Sequence, residues 1–369
     1  MTELRTAVTE QTLQEFRTLH EIVRAAQKNL ERNHWDYLIG GADTETAVVR
    51  NRAGVDSWVF RPRILNDVSQ IQASTELLGT PLRIPVVLPP IGSVQVFDPL
   101  GGTGVARAAA EFGVLQILSS SCLPDFEEVA AEVPGPRIYQ LYLMGDQGWM
   151  DDNISRAIEA GYTGFCLTAD TQTYSRRERD LLKGFTPPSG RRPGNADFAH
   201  QARMTWDTVA HIKSDFDIPL VVKGVNVAED ARRCVELDVD VVYVSNHGGR
   251  QLDHTRSCID ALPEVVNAVD GRKPVVVDGG FLRGADVVKA LCLGASAVGM
   301  GRLEGLAMAA GGSRALVQAL EIIEREIHIS MALLGAYSLE SLSPSMVEKT
   351  TPVIAPGVLS AFQLLSEDY

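Results

Sequence analysis

The sequence predicts an α/β protein: one closed (β/α)8 barrel, the TIM-barrel architecture, entered through a helical extension. Three observations predict it. From residue 84 onward, eight short apolar runs alternate with segments of helical period. Each run contributes polar residues or glycine near its C-terminal end, at the face where such barrels carry their sites. The length of 369 residues suits one barrel with additions, although it would also hold two domains. A doubly wound open sheet is the runner-up, but eight parallel units of regular length close more naturally than they spread.

In chain order, residues 11–31 read as an amphipathic helix, with Leu13, Phe16, Leu19, Ile22, Val23 and Ala26 at three- and four-residue steps. A second helix carries Trp35, Tyr37 and Leu38 and stops at Gly40-Gly41. Trp58–Val68 reads as an extended segment broken at Pro62, able to cover one barrel end. The strand runs are Ile84–Gly92, Leu115–Ser120, Arg137–Met144, Gly164–Thr171, Pro219–Val225, Val241–Gly248, Pro274–Gly280 and Ala297–Arg302. Helical segments between them include Gly104–Phe112, Asp152–Ala160, Ala228–Leu237 and Gly284–Leu291. The longest connection, Thr171–Ile218, contains the Pro- and Gly-rich stretch Thr186–Asn195 and reads as a lid or a disordered insertion. A closing helix is expected over Ala315–Leu333, with Ile322, Ile323 and Ile327 inward. The chain is thus read as a single domain, residues 1–83 forming the extension, 84–335 the barrel and 336–369 a tail with no identifiable chemistry.

Composition narrows the partners. A hydrophobic fraction of 45% supports a large core, and a net charge of -13 argues against nucleic acid or an anionic membrane as main partner. Five cysteines without Cys-x-x-Cys spacing fit a reducing cytoplasm, and no histidine pattern has metal-ligand spacing. The N-terminus is polar, and no apolar run reaches the ~18 residues of a membrane span. A soluble cytoplasmic protein is the expectation.

The strand ends supply the candidate site: Pro90 and Gly92, Ser119 and Ser120, Gln140 and Tyr142, Thr168 and Asp170, Lys223, Ser245 and His247, Asp278 with Gly279 and Gly280, Gly301 with Arg302. Buried polar groups must find partners, so so many of them at one face point to a ligand. Asp278-Gly279-Gly280 with Arg283, followed by Gly301-Arg302, offer bare backbone N–H groups and two guanidinium groups, equipment for a phosphate. In Ser245–Asp253, His247 can take a proton while Arg250 can fork a carboxylate, chemistry suited to oxidising an acid. Taken alone, His-x-x-Arg reads more often as a loop cap and a surface pair, and Tyr37 more often as a core residue tied to a carbonyl. Gly102-Thr103-Gly104 lacks the third glycine of a dinucleotide fingerprint and reads as a helix entry.

The run Ser245-Asn246-His247-Gly248-Gly249-Arg250-Gln251-Leu252-Asp253 resembles the signature of the FMN-dependent α-hydroxy acid oxidases and dehydrogenases, the group of glycolate oxidase, lactate oxidase and mandelate dehydrogenase. The resemblance extends from about Asp36 to about Val347. It implies FMN as cofactor, a small (S)-2-hydroxy acid as substrate, O2 or another carrier as electron acceptor, and a homotetramer. It gives His247 the role of base, with Asp170 holding its ring, Arg177 and Arg250 clamping the substrate carboxylate, and Tyr37 and Tyr142 bonding to substrate oxygens. Lys223 would face the N1 and O2 region of the flavin. Gly280, Arg283, Gly301 and Arg302 would hold the FMN phosphate, and Ser119, Gln140, Thr168 and Ser245 the polar edge of its ring.

Two departures stand out. Pro90-Ile91-Gly92 replaces the usual Pro-Thr-Ala, and this glycine is similar to the dehydrogenase and monooxygenase branches, which leaves the acceptor open. Ser121 replaces a bulky aromatic that follows the Ser-Ser pair in glycolate oxidases, which implies a substrate with a larger aromatic or branched side chain. The resemblance also includes a monooxygenase that decarboxylates its product. A non-catalytic flavin-binding barrel, or a barrel acting on a phosphorylated metabolite, would be expected to have lost part of the set Tyr37, Tyr142, Asp170, Arg177, His247 and Arg250.

Overall fold

A computed structural model describes residues 15–188 and 199–367. Eight parallel strands close into a barrel: β1 (Val86–Leu88), β2 (Leu115–Ser119), β3 (Ile138–Leu141), β4 (Gly164–Thr168), β5 (Leu220–Val225), β6 (Val241–Val244), β7 (Val275–Val277) and β8 (Ala297–Gly299). Each strand lies inside its predicted run. The pairing of β8 with β1, Val298 opposite Val86 and Gly299 opposite Val87, shuts the ring and excludes the open sheet.

Period-two alternation sorts the side chains. Val87, Leu115, Ile117, Ile138, Cys166, Val221, Val241, Tyr243, Val276 and Ala297 form the apolar interior of the barrel. Their neighbours along the strands, such as Val86, Leu88, Leu118, Tyr139, Phe165, Leu167 and Val222, join the layer packed under the helices. Extending the inward positions by one step brings Ser119, Gln140, Thr168, Lys223, Ser245 and Asp278 to the C-terminal end of the interior. All six are buried. A polar layer therefore rests on an apolar plug, and the same alternation that builds the core aims the site.

The N-terminal mouth of the barrel is stopped by an antiparallel hairpin, Thr75–Leu77 with Thr80–Leu82, whose Leu77 and Leu82 belong to the interior cluster. The expected extended segment after Trp58 contains only the short strand Trp58–Phe60, paired antiparallel with Val347–Lys349.

Among the described residues, three helices precede the barrel: α1 (Leu19–Asn29), α2 (Arg32–Ile39) and α3 (Thr46–Ser57). Helix α1 starts later than expected: residues 15–18 are not helical, and Thr18 caps the helix through a capping box with Glu21, while Leu13 lies outside the described residues. Helix α2 ends at Gly40 as expected. The closing helix runs over Gly301–Leu334, beginning directly after β8, with a break at Gly311-Gly312 where Gly312 has φ +65°. It is long and apolar enough to cross a membrane, but 72% of its apolar window is buried inside the protein, with Ile322, Ile323 and Ile327 inward. Gly102-Thr103-Gly104 opens the helix Gly101–Phe112, as its sequence implied.

Candidate active site

The loop after β6 is held from below. Asn51 of α3 and Asn246 exchange amide hydrogen bonds of 2.8 and 2.9 Å, and Gly249 N donates to Asn246 Oδ1 at 3.0 Å. Asp253 accepts from Ala47 N at 2.7 Å and from Thr44, and these bonds at the start of α3 hold its carboxyl down to about 2 against the effect of burial. Three successive residues, His247, Gly248 and Gly249, have φ of +58°, +64° and +77°. A side chain at Gly249 would meet Val48 N at 2.6 Å, so only glycine fits there. His247 holds a left-handed conformation that costs about 1–3 kcal/mol, offset by the bonds its surroundings make to it.

Those bonds define its state. Asp170 Oδ1 lies 3.0 Å from His247 Nδ1, and the Tyr142 hydroxyl lies 3.3 Å from Nε2. An ionised carboxylate only accepts, so Nδ1 carries the proton and Nε2 keeps its lone pair. Burial is the largest influence on His247 and holds it below the ordinary imidazole value; Asp170 pulls the other way, while Lys223 and Arg177 add to the lowering. The ring is neutral at pH 7. For Asp170, burial works upward but is outweighed by His247 and Lys223, which hold it ionised.

Behind the histidine, Ser245 joins three strand ends. Its Oγ donates to Asp278 Oδ1 at 2.6 Å and accepts from Lys223 Nζ at 2.8 Å and from His247 N at 3.0 Å. Lys223 is 3.5 Å from Asp278. Burial opposes the lysine's charge, but Asp278 and Asp170 outweigh it and hold the ammonium above its ordinary value.

The residues gather around one cleft. Tyr37, Pro90, Ile91, Gly92, Ser121, Tyr142, Arg177, Lys223, His247, Arg250, Asp278, Gly279, Gly280, Gly301 and Arg302 all line it. Tyr37 satisfies both readings of its sequence: it is buried with its hydroxyl donating to Gly92 O at 3.0 Å, and it faces the cleft. Arg250 is fixed by donation to Tyr37 O and Gly40 O at 2.7 and 2.9 Å and stands over the Tyr37 ring at 4.8 Å. Arg177 lies over the rings of Tyr174 and Tyr37 at 4.8 and 6.0 Å. Arg302 donates to Gly248 O and Gly40 O, both at 2.9 Å. Burial, then the neighbouring Arg250, pushes Arg302 down to about 9. Three guanidinium groups crowding one cleft create an excess of positive charge that suits an anionic ligand.

Arg283 is a correction. Its guanidinium pairs with Glu326 of the closing helix, with nitrogen–oxygen distances of 2.5 and 3.2 Å, and it is absent from the cleft lining. The chain leaves the Gly279-Gly280 turn with Phe281 and Leu282 toward the cleft, and Arg283 becomes the cap of the next helix, Gly284–Cys292. Arg52, Leu282 and Val358 line the cleft without having been expected. Arg52 is neutralised there by Asp286 at 2.6 Å and by Asp56 at 2.5 Å. Val358 comes from the C-terminal tail, which had shown no chemistry.

Ser119, Gln140, Thr168 and Ser245 do not line the cleft but lie in the polar layer beside Lys223, Thr168 being paired directly with it between β4 and β5. Both amide atoms of Gln140 and the hydroxyl of Thr168 are buried with no hydrogen-bond partner among the described residues. Such atoms cost about 1–3 kcal/mol each unless a ligand meets them. A flat heterocycle with an edge of donors and acceptors, carrying an anion, fits both features.

A TIM barrel that brings a neutral histidine on a carboxylate, three guanidinium groups and a buried lysine to one cleft has the groups to hold an anionic ligand and to take a proton from it. The chain matches the FMN-dependent dehydrogenase family over residues 26–349 and belongs to it. It is 36% identical to L-lactate oxidase of Nostoc sp. over 354 residues, 89% of this chain and 97% of the relative. It is also 36% identical to glycolate oxidase of Spinacia oleracea over 353 residues, 90% and 96% of the two chains. A solved structure of mandelate oxidase superposes with a TM-score of 0.85 at 35% identity, covering 92% of this chain and all of that one. The protein is therefore an FMN-dependent oxidoreductase of (S)-2-hydroxy acids.

Proposed function

We propose that the protein oxidises an (S)-2-hydroxy acid with an aromatic or branched side chain to the 2-oxo acid, with His247 as the base. The observation that carries this reading is the Asp170–His247–Tyr142 chain, which leaves an unprotonated Nε2 beside a hydroxyl at the cleft.

FMN, when bound, accepts the two electrons that leave the substrate. The backbone of Gly279, Gly280 and Gly301 with Arg302 would hold its phosphate, and Gln140, Thr168, Ser119, Ser245 and Lys223 its polar ring edge. Arg177 and Arg250 fork the substrate carboxylate, and this fixes C2 against His247. Tyr37 and Tyr142 bond to the substrate's oxygens. A 2-hydroxy acid loses two electrons and two protons on becoming a 2-oxo acid: Nε2 takes one proton, Asp170 stabilises the imidazolium formed, and the flavin, when bound, would take up the second proton together with the electrons. Ser121 lines the cleft where a bulky side chain would narrow it, Tyr174 offers an aromatic wall, and a mutant of a relative, mandelate oxidase, has been solved with (S)-mandelic acid.

His247→Gln tests the base. The variant should keep its flavin and lose substrate-driven flavin reduction by at least the 10²–10⁴-fold typical of general base catalysis. Reduction at a near-native rate would move the base elsewhere.

A further inference from the structure

The connection after β4 is tied down on both sides of Arg177. Before it, Asp43 N donates to Arg176 O at 3.0 Å and Ser175 Oγ to Arg250 O at 2.5 Å. Arg177 then caps a short helix, Glu178–Leu182, its carbonyl accepting from Asp180 N and Leu181 N at 3.1 and 3.0 Å. After it, Arg179 forks Glu45 with bonds of 2.5 and 2.7 Å and donates to Asp36 Oδ1 at 3.1 Å. Lys183 pairs with Asp36 Oδ2. Glu45 also accepts from Gly41 N at 3.1 Å, so its carboxylate is held from both sides.

Among the described residues, Arg177 itself has no such anchor. Its guanidinium stands over the rings of Tyr37 and Tyr174, and its Nε is buried with no hydrogen-bond partner among the described residues. Its position over the cleft therefore follows from its backbone, which the Arg179 fork fixes two residues on. We propose that Arg179 is a positioning residue for the reaction: it clasps the start of this connection through Asp36 to α2, the helix that carries Tyr37, and through Glu45 to the start of α3, and so presents Arg177 to the substrate carboxylate.

An isolated exposed ion pair would contribute little. This one differs in geometry and surroundings. The Glu45 contact is a two-pronged fork, the Asp36 side chain is 5% exposed, and two cations from the connection converge on it. The chemistry of proton removal sits on strand ends that the clasp does not touch, so loosening the clasp weakens substrate capture and leaves the proton transfer and the flavin in place.

The inference rests on the proposed role of Arg177, and the experiment separates the two. Steady-state kinetics with the best 2-hydroxy acid would be measured for Arg179→Ala, Arg179→Lys and Arg177→Met, each loaded with flavin. Arg179→Ala should raise KM about tenfold with kcat within about twofold of native and full flavin content, and Arg179→Lys should recover part of the loss. Glu45→Gln, which removes the fork from the other side, should raise KM in the same direction and replaces Arg179→Ala if that variant does not fold. Unchanged KM in Arg179→Ala or Glu45→Gln, alongside a large KM increase in Arg177→Met, overturns the clasp. Unchanged KM in Arg177→Met overturns the role of Arg177 itself, and the clasp with it.

Discussion

Asp170→Asn isolates what the carboxylate does for His247. In the native protein the Asp170–His247 bond of 3.0 Å is neutral–ionic before reaction and ionic on both sides after proton transfer. A charge-assisted bond of this kind contributes about 1.5–3 kcal/mol, so its loss should slow flavin reduction roughly ten- to 150-fold. An asparagine amide can also donate to Nδ1, which favours the tautomer with the proton on Nε2 and removes the acceptor lone pair, adding to the loss. The pH dependence has a definite sign. Burial already holds His247 below its ordinary value and Asp170 works against that, so removing the carboxylate lowers the histidine further. The acid limb of the reduction rate should move to lower pH while its plateau falls. Anaerobic stopped-flow flavin reduction across about pH 5–9 measures both. A limb that moved to higher pH, or a plateau left unchanged, would refute the assignment of Asp170 as the group that stabilises the imidazolium.

Other perturbations follow from the same structure. Arg302→Met should release flavin, seen as loss of bound absorbance after gel filtration, whereas Arg283→Met should retain it because Arg283 pairs with Glu326 outside the cleft. Ser121→Trp should shift the ranking of flavin reduction rates from mandelate and 2-hydroxyisocaproate toward glycolate; filling the apolar space with a phenyl ring gains on the order of 2 kcal/mol, roughly thirtyfold. Glu304, 2% exposed with Oε2 unpartnered, is raised well above the ordinary carboxylate value by burial and stays protonated in the native state. Unfolding frees it to ionise, so stability is lost as pH rises from the unfolded carboxylate value toward the raised one, at up to about 1.4 kcal/mol per pH unit. Glu304→Gln should remove that slope, so its melting temperature should gain on native as pH rises from about 5 to 8; parallel profiles would show that Glu304 is ionised in the fold.

The barrel was legible because its strands carry buried runs with turn signals between them, and because alternation along a strand is rigid: once Ile117, Ile138 and Val221 face inward, Ser119, Gln140 and Lys223 must follow. The hairpin under the barrel was not legible. Its strands are three residues each, too short to show a period, and its turn uses Leu78-Gly79 at φ +51° and +73°, where Asn-Gly would have announced it. Arg283 was misplaced for a different reason. A glycine turn shows that a backbone can approach an anion, but the direction of an arginine two or three residues later depends on which partner claims it, and Glu326 lies more than forty residues on along the chain. Val358 reaches the cleft from a tail whose sequence carries no period. Ser189 to Asn195, the greater part of the expected lid stretch, lie outside the described residues.

The proposed reaction, in which this cleft draws two electrons out of a 2-hydroxy acid while His247 takes a proton, is read by anaerobic mixing of the flavin-loaded protein with the (S)- and (R)-enantiomers of lactate, 2-hydroxyisocaproate and mandelate, and with glycolate, followed by flavin absorbance. Stoichiometric bleaching by (S)-acids is expected, fastest with the aromatic or branched side chains, with formation of the 2-oxo acid and no bleaching in His247→Gln. Absence of bleaching with every acid, or equal bleaching in His247→Gln, would contradict it.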